Sequence, residues 1–241
     1  MDLNEMRTLN SYLKPHNHEL NEKFHQLTCY NVLSVASFSL FFDMIADIEG
    51  DIVECGIGRS RSLIILSSLI AATNSNRRLI AYDSFAGFPV PTVEDASIRN
   101  PQKGEWSSSP SGEYAYTEDF CRHVLATAEI PLERINLTLV KGYFSETLPF
   151  NPSQQIALLN IDGDLYQSYK ACLENLFHKV VGGGVIIFDD FQEEGAEQAF
   201  PGARLAVKNF FGVREYGTIQ QSKYGVFYYR KPFDVYFEGS V

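Results

Sequence analysis

The sequence is poor in the features that mark several common protein classes. Its 241 residues hold four cysteines, Cys29, Cys55, Cys121 and Cys172, with no CxxC pair and no Cys/His cluster at zinc spacing. That excludes a disulfide scaffold and a structural zinc module, and free thiols in a reducing cytoplasm are expected. Basic charge is scarce: Lys and Arg number 20 against 30 Asp and Glu, a formal net charge of −10. Nucleic acids and anionic membranes both attract basic patches, so neither is expected as a partner. Long apolar runs are also missing. The most apolar helical stretch, "VLSVASFSLFFDMIADI", is too short and too broken by Ser and Asp for a span of ~20 residues. It is expected as a core or dimer-interface helix. The first twenty residues are polar and carry no signal-peptide h-region. Internal repeats and low-complexity segments are absent.

What is present is an alternation of short apolar runs with amphipathic ones. "DIVECGI", "RLIAYDSF", "INLTLVKGYF", "IALLNID" and "GGGVIIFDDF" read as strands. "SRSLIILSSLIAATN", "TEDFCRHVLATAEI", "YQSYKACLENLFHKV" and "GARLAVKNFFG" read as helices, the second with Thr117 as its N-cap. "REYGTIQQSKYGVFYYRK" reads as a terminal hairpin. This pattern predicts an α/β fold, a doubly wound and mostly parallel sheet with an antiparallel C-terminal hairpin. Residues 1–49 are expected to form an N-terminal helical arm or cap, and 50–241 the main domain. Within it, residues 86–116 are rich in Pro, Gly and Ser. A loop of that length inside a compact domain is expected to be a lid or binding loop, or disordered.

Ligands of such sheets bind beyond the carboxyl ends of the strands, so the strand ends carry the functional signal. The first ends "VECGIGRSRS". Its Gly-x-Gly turn lets a ligand approach the backbone and opens a helix with free N–H groups. A dinucleotide fingerprint needs a third small residue where Arg61 stands, which disfavours NAD. Glu54 disfavours a pyrophosphate and suits a cationic amine. Asp83, at the tip of the second strand, is placed to accept hydrogen bonds from ribose hydroxyls. After the third strand, Gly142 would let a flat ring approach, with Tyr143 or Phe144 stacking on it.

The fourth and fifth strands end in paired acids: Asp162 and Asp164, then Asp189 and Asp190. Grouped carboxylates repel one another, so one holds a proton unless a cation is present. Hard oxygen donors in that number suit Mg²⁺, with Mn²⁺ or Ca²⁺ as alternatives. Asp162, Asp189 and Asp190 are the candidate ligands and Asp164 the candidate general base. Capping of the helices that follow is the competing reading. Arg204 is a candidate substrate or carboxylate contact. Trp106, Tyr114 and Tyr116 are candidate packing surfaces for a sugar or an aromatic ring, and His16 and His18 could fold over a site.

Taken together, "GDIVECGIGRS", "YDSFAGFP", "VKGYFSETLP", "LLNIDGDLYQSY", "GGGVIIFDDF" and "FPGARLAVKNFF" resemble the macrocin O-methyltransferase family, from about Gly50 to Gly212. The resemblance implies a class I methyltransferase fold, S-adenosylmethionine as donor and a divalent metal, usually Mg²⁺. It implies metal ligands at Asp162, Asp189 and Asp190 and a base at Asp164. Glu54, Gly56, Ser60 and Asp83 would surround the donor. The implied acceptor is a hydroxyl of a sugar-containing natural product or sugar intermediate. A phenol, a catechol or another small hydroxylated metabolite is the alternative, and a non-catalytic donor-binding domain a further one. A homodimer or higher homo-oligomer is also implied. The family often has "GVWRGG" where this chain has "GIGRSRS", so Ser60 and Arg61 replace two glycines at the donor loop.

Overall fold

The computed structural model describes residues 29–191 and 199–233. The arm that carries His16 and His18 lies outside the described residues. Six helices are described: α1 (Cys29–Met44), α2 (Arg61–Ala72), α3 (Glu118–Thr127), the single turn α4 (Phe144–Thr147), α5 (Tyr166–Leu176) and α6 (Pro201–Tyr216). The strands are β1 (Asp51–Cys55), β2 (Arg78–Asp83), β3 (Asn136–Lys141), β4 (Ile156–Ile161), β5 (Val180–Phe188), β6 (Gln220–Gln221) and β7 (Phe227–Arg230).

All seven strands join one sheet in the order β3-β2-β1-β4-β5-β7-β6. The first five are parallel and β7 runs antiparallel to β5. This is the doubly wound sheet with an antiparallel edge that the alternating pattern predicts. Every residue of β4 is buried, as expected of a parallel strand covered on both faces. One apolar layer gathers α5, α6 and their aromatic side chains; the other gathers α1, α2 and α3. Helix α1 enters that second layer through Phe38, Phe41 and Phe42, so residues before 50 share the core of the main body.

Two expectations about elements are modified. Only the C-terminal half of α1 is enclosed within this chain, because Val32, Leu33 and Val35 are exposed. The terminal hairpin is much shorter than the sequence pattern suggests. Helix α6 continues to Tyr216, past a non-helical Gly212, and only Gln220 and Gln221 pair with β7. Packing explains the difference: the Tyr216 ring lies 5.8 Å from that of Phe191, which holds this segment against the core instead of the sheet edge. No helix among the described residues is long and apolar enough to cross a membrane.

Strand register positions the site. Cys55 pairs with Ile161, and Ile161 with Phe188, so β1, β4 and β5 end level with one another. The ladder extends one residue further, with the Asp162 N–H donating to the Cys55 carbonyl at 2.8 Å and the Asp189 N–H to the Ile161 carbonyl at 3.0 Å. Gly56, Asp162 and Asp189 therefore stand side by side on one rim. Gly56 is required there for packing as well as for any ligand: a Cβ would overlap the Asp162 carbonyl oxygen, and its φ is +101°.

Candidate active site

A cavity of about 830 Å³ opens beyond the carboxyl ends of the strands, within the size range of small-molecule sites. Gly56, Asp83, Tyr143, Phe144 and all four acids of the β4 and β5 ends line it. The lid contributes Phe88, Val90 and Trp106.

The acids converge more tightly than their spacing shows. Asp162, Asp164 and Asp190 each bring a carboxylate oxygen into a group spanning no more than 4.8 Å. Asp189 lines the same cavity but is not part of that group. The turn after β4 accounts for the grouping. Asp164 has φ of +58°, unusual for a residue with a side chain, and its N–H donates to Asp190 Oδ2 at 2.8 Å. Burial, followed by mutual repulsion, pushes Asp162 and Asp190 well above the usual carboxylate range. Burial pushes Asp164 up to about 7. Asp189 is raised by the protein crowded around it even though its side chain opens to the cavity, and Arg61 pulls it back.

The Gly-x-Gly loop is held from the neighbouring strand. Asp83 Oδ2 accepts the N–H groups of Ile57 and Gly58 at 2.8 and 3.1 Å, and Oδ1 accepts that of Phe85 at 2.7 Å. Asp83 thus lines the cavity as expected, yet most of its acceptor capacity shapes the loop. Glu54 is fully buried beneath the loop, and neither carboxyl oxygen has a hydrogen-bond partner among the described residues. Burial pushes its pKa up to about 8; Ser62 and Asn160 lie near enough to draw it back, though neither reaches hydrogen-bond geometry with it.

Several candidates do not face the cavity. The Ser60 hydroxyl is buried and donates to Cys121 Sγ at 3.2 Å, on the side of α3. Gly142 is not among the lining residues; its φ is +142° and a Cβ there would meet Thr147 at 2.7 Å. Tyr114 and Tyr116 turn to Phe120, with ring centres 6.3 and 5.3 Å away. Arg204 stacks over Phe191 at 5.3 Å. Tyr143 and Phe144 do line the cavity, as the N-cap and first residue of α4.

Other lining residues carried no strong local signal. Arg59 lies 4.7 Å from the centre of the Trp106 ring and joins the Gly-x-Gly loop to the lid. Ser62, Gln167 and Lys170 also line the cavity. Gln167 and Lys170 sit three residues apart on α5, a helical spacing that places both on one face.

Residues 42–228 match the sequence profile of the macrocin-O-methyltransferase family. A tetracenomycin rhamnosyl 4'-O-methyltransferase of Streptomyces olivaceus is 30% identical over 165 residues, 63% of this chain and 57% of that protein. Demethyldecarbamoylnovobiocin O-methyltransferase of Streptomyces niveus is 31% identical over 146 residues, 60% of this chain and 54% of that protein. The chain thus matches little more than half the length of these curated relatives. In fold it resembles the calicheamicin methyltransferase CalS11, with a TM-score of 0.72, 24% identity and coverage of 95% of this chain and 93% of that one. The O-methyltransferase NovP gives a TM-score of 0.66 at 24% identity, over 83% and 80% of the two chains. The profile match spans most of the chain, including the Gly-x-Gly loop and all four acids of the rim, and the chain belongs to the macrocin O-methyltransferase family.

Proposed function

We propose that this chain transfers a methyl group from S-adenosylmethionine to a hydroxyl of a sugar-containing natural product or sugar intermediate. The observation that carries the reading is the carboxylate group formed by Asp162, Asp164 and Asp190 beside the Gly56–Gly58 loop, in one cavity. Family membership supports the donor, and the rhamnosyl 4'-O-methyltransferase activity of the Streptomyces olivaceus relative supports a sugar hydroxyl as acceptor. A homodimer or larger assembly, as the resemblance implies, is part of the proposal; light scattering measures it.

Methyl transfer from a sulfonium is an in-line displacement. The acceptor oxygen bonds to the methyl carbon as the carbon–sulfur bond breaks, and the hydroxyl proton must leave. The protein's main task is to hold the two reactants close and aligned. Gly56 and Gly58 would admit the donor to the backbone, Tyr143 or Phe144 would offer a face for its ring, and Glu54, protonated and buried beneath the loop in the free chain, would become a counter-charge for its amine only on giving up that proton. The half-buried, mutually repelling oxygens fit a hard divalent cation such as Mg²⁺, with Mn²⁺ or Ca²⁺ also suited. Such a cation, when bound, lowers the pKa of a coordinated hydroxyl and offsets the clustered charge. Asp162 and Asp190 would hold it, with Asp189 at the open edge. Asp164 would take the proton; burial raises its carboxyl to about 7 in the cation-free site, and a bound cation would favour its charged, proton-accepting form.

The tightness of the Asp162–Asp164–Asp190 group favours a second division of labour, in which Asp164 is a ligand and Asp189 the base. Titration of Mn²⁺ into Asp164→Asn and Asp189→Asn variants separates the two. The first assignment expects Asp164→Asn to keep cation affinity and lose transfer. Loss of cation affinity on Asp164→Asn, with transfer lost on Asp189→Asn, would favour the second.

A further inference from the structure

The lid contains a carboxylate that the proposed mechanism does not use. Asp95 lies in a short 3-10 turn, Val93–Asp95, and is 2% exposed. Its Oδ2 accepts the Thr92 N–H at 2.8 Å and the Thr92 hydroxyl at 3.2 Å, a capping box that closes the turn. Its Oδ1 reaches across 71 residues of sequence and accepts the Tyr166 N–H at 2.7 Å. Tyr166 is the first residue of α5, two positions after Asp164. That N–H belongs to the first turn of a helix, where no intrahelical partner exists.

The contact is built on three sides. The Cα of Gly202, in the first turn of α6, lies so close that a Cβ there would overlap Asp95 Oδ1 and come within 2.9 Å of the Tyr166 nitrogen. The position has no positive φ, so glycine is required for closeness of approach. The turn held in this way is the strained one. Asp164 has φ of +58°, a left-handed conformation uncommon for a residue with a side chain. Two hydrogen bonds from outside the turn enforce it. On one side the Asp164 N–H donates to Asp190, and on the other the Tyr166 N–H donates to Asp95.

We propose that Asp95 is a positioning residue: it fastens the lid to the turn that carries Asp164 and thereby holds the Asp164 carboxylate in the acid group at the cavity floor. The inference rests on the methyltransferase reading for its catalytic consequence, but the physical link between lid and turn stands without it. When the lid is seated, the Tyr166 N–H is satisfied and the Asp164 turn is held. When the lid lifts, the turn loses one of its two external bonds, and Asp164 loses its fixed orientation. Lid closure and completion of the site then become one event.

Hydrogen exchange separates this role from a general loosening of the loop. The measurement compares amide exchange in residues 163–168 and 86–116 of the full chain for wild type, Asp95→Ala, Asp95→Asn and Ser97→Ala. Ser97 is the control: its hydroxyl ties the lid to the Ala199 carbonyl at 2.9 Å without touching Tyr166. Asp95→Ala is expected to speed exchange of the Tyr166 amide roughly tenfold or more along with the lid. Asp95→Asn keeps a carbonyl oxygen for Tyr166 but loses an acceptor for Thr92, so the lid should loosen while Tyr166 stays protected. Ser97→Ala should loosen the lid alone. With a rhamnosylated probe acceptor, Asp95→Ala should lower kcat on the order of 10–100-fold with unchanged donor affinity, and Asp95→Asn should recover most of it. Should Asp95→Ala fail to fold, Gly202→Ala replaces it and is expected to act likewise. Wild-type exchange at Tyr166 in Asp95→Ala, or an equal effect on Tyr166 from Ser97→Ala, would overturn the proposal. Failure of the wild type to bind the donor would instead count against the methyltransferase reading and leave the exchange result interpretable.

Discussion

Glu54 shows at the scale of one residue how burial and function conflict. A carboxyl with no exposed surface and no hydrogen-bond partner among the described residues is held protonated up to about pH 8. Its ordinary value is 4.5. Between those two values the folded chain keeps a proton that the unfolded chain releases, so stability falls as pH rises, by up to about 1.4 kcal/mol per unit from this group. Glu54→Gln keeps the shape and removes the titration. The melting temperature of the variant should therefore decline less than that of the wild type from pH 5 to pH 8, as read by calorimetric scanning. Parallel curves would show that Glu54 is already stabilised as an anion. Glu54 stood out in the sequence because an acid interrupts an apolar strand. The turning of Ser60 toward Cys121 gave no such sign, since its partner lies 61 residues away and shares no pattern with it.

At the scale of elements, the strand tips explain what was legible. Parallel strands buried on both faces read as unbroken apolar runs, so their ends are sharp, and the acids just beyond them were visible as a rim. The register that sets Gly56 against Asp162 was not visible, because strand order alone does not fix how closely two backbones pass. Gly56→Ala should destabilise the chain by roughly 2 kcal/mol or more, since the added carbon meets the Asp162 carbonyl and the φ is unfavourable. Chemical denaturation measures it; a wild-type midpoint would show that β1 and β4 can part at no cost. The grouping of Asp164 with Asp190 depends on one positive φ, and the Asp95 link on a lid whose sequence reads only as polar loop. The C-terminal hairpin was overread because aromatic and β-branched residues near the end suit a strand, while tertiary packing kept Tyr216 in α6.

At the scale of the molecule, part of the excess of acids gathers at the candidate site. Six carboxylates, those of Asp83, Asp162, Asp164, Glu174, Asp189 and Asp190, line one cavity against Arg59, Arg61 and Lys170. A divalent cation must displace protons from raised carboxylates to bind, so its affinity should grow with pH. With Asp164 at about 7, the rise in melting temperature on adding Mg²⁺ should be larger at pH 8 than at pH 6. An equal rise at both values would place the cation elsewhere.

Calorimetric titration of S-adenosylmethionine into the purified chain, with Mg²⁺ and with EDTA, tests the methyltransferase reading most directly. The account predicts saturable one-site donor binding, together with Mg²⁺ binding that an Asp162→Ala/Asp189→Ala variant loses. Absence of donor binding under both conditions would contradict it and return the acids of the rim to a structural role.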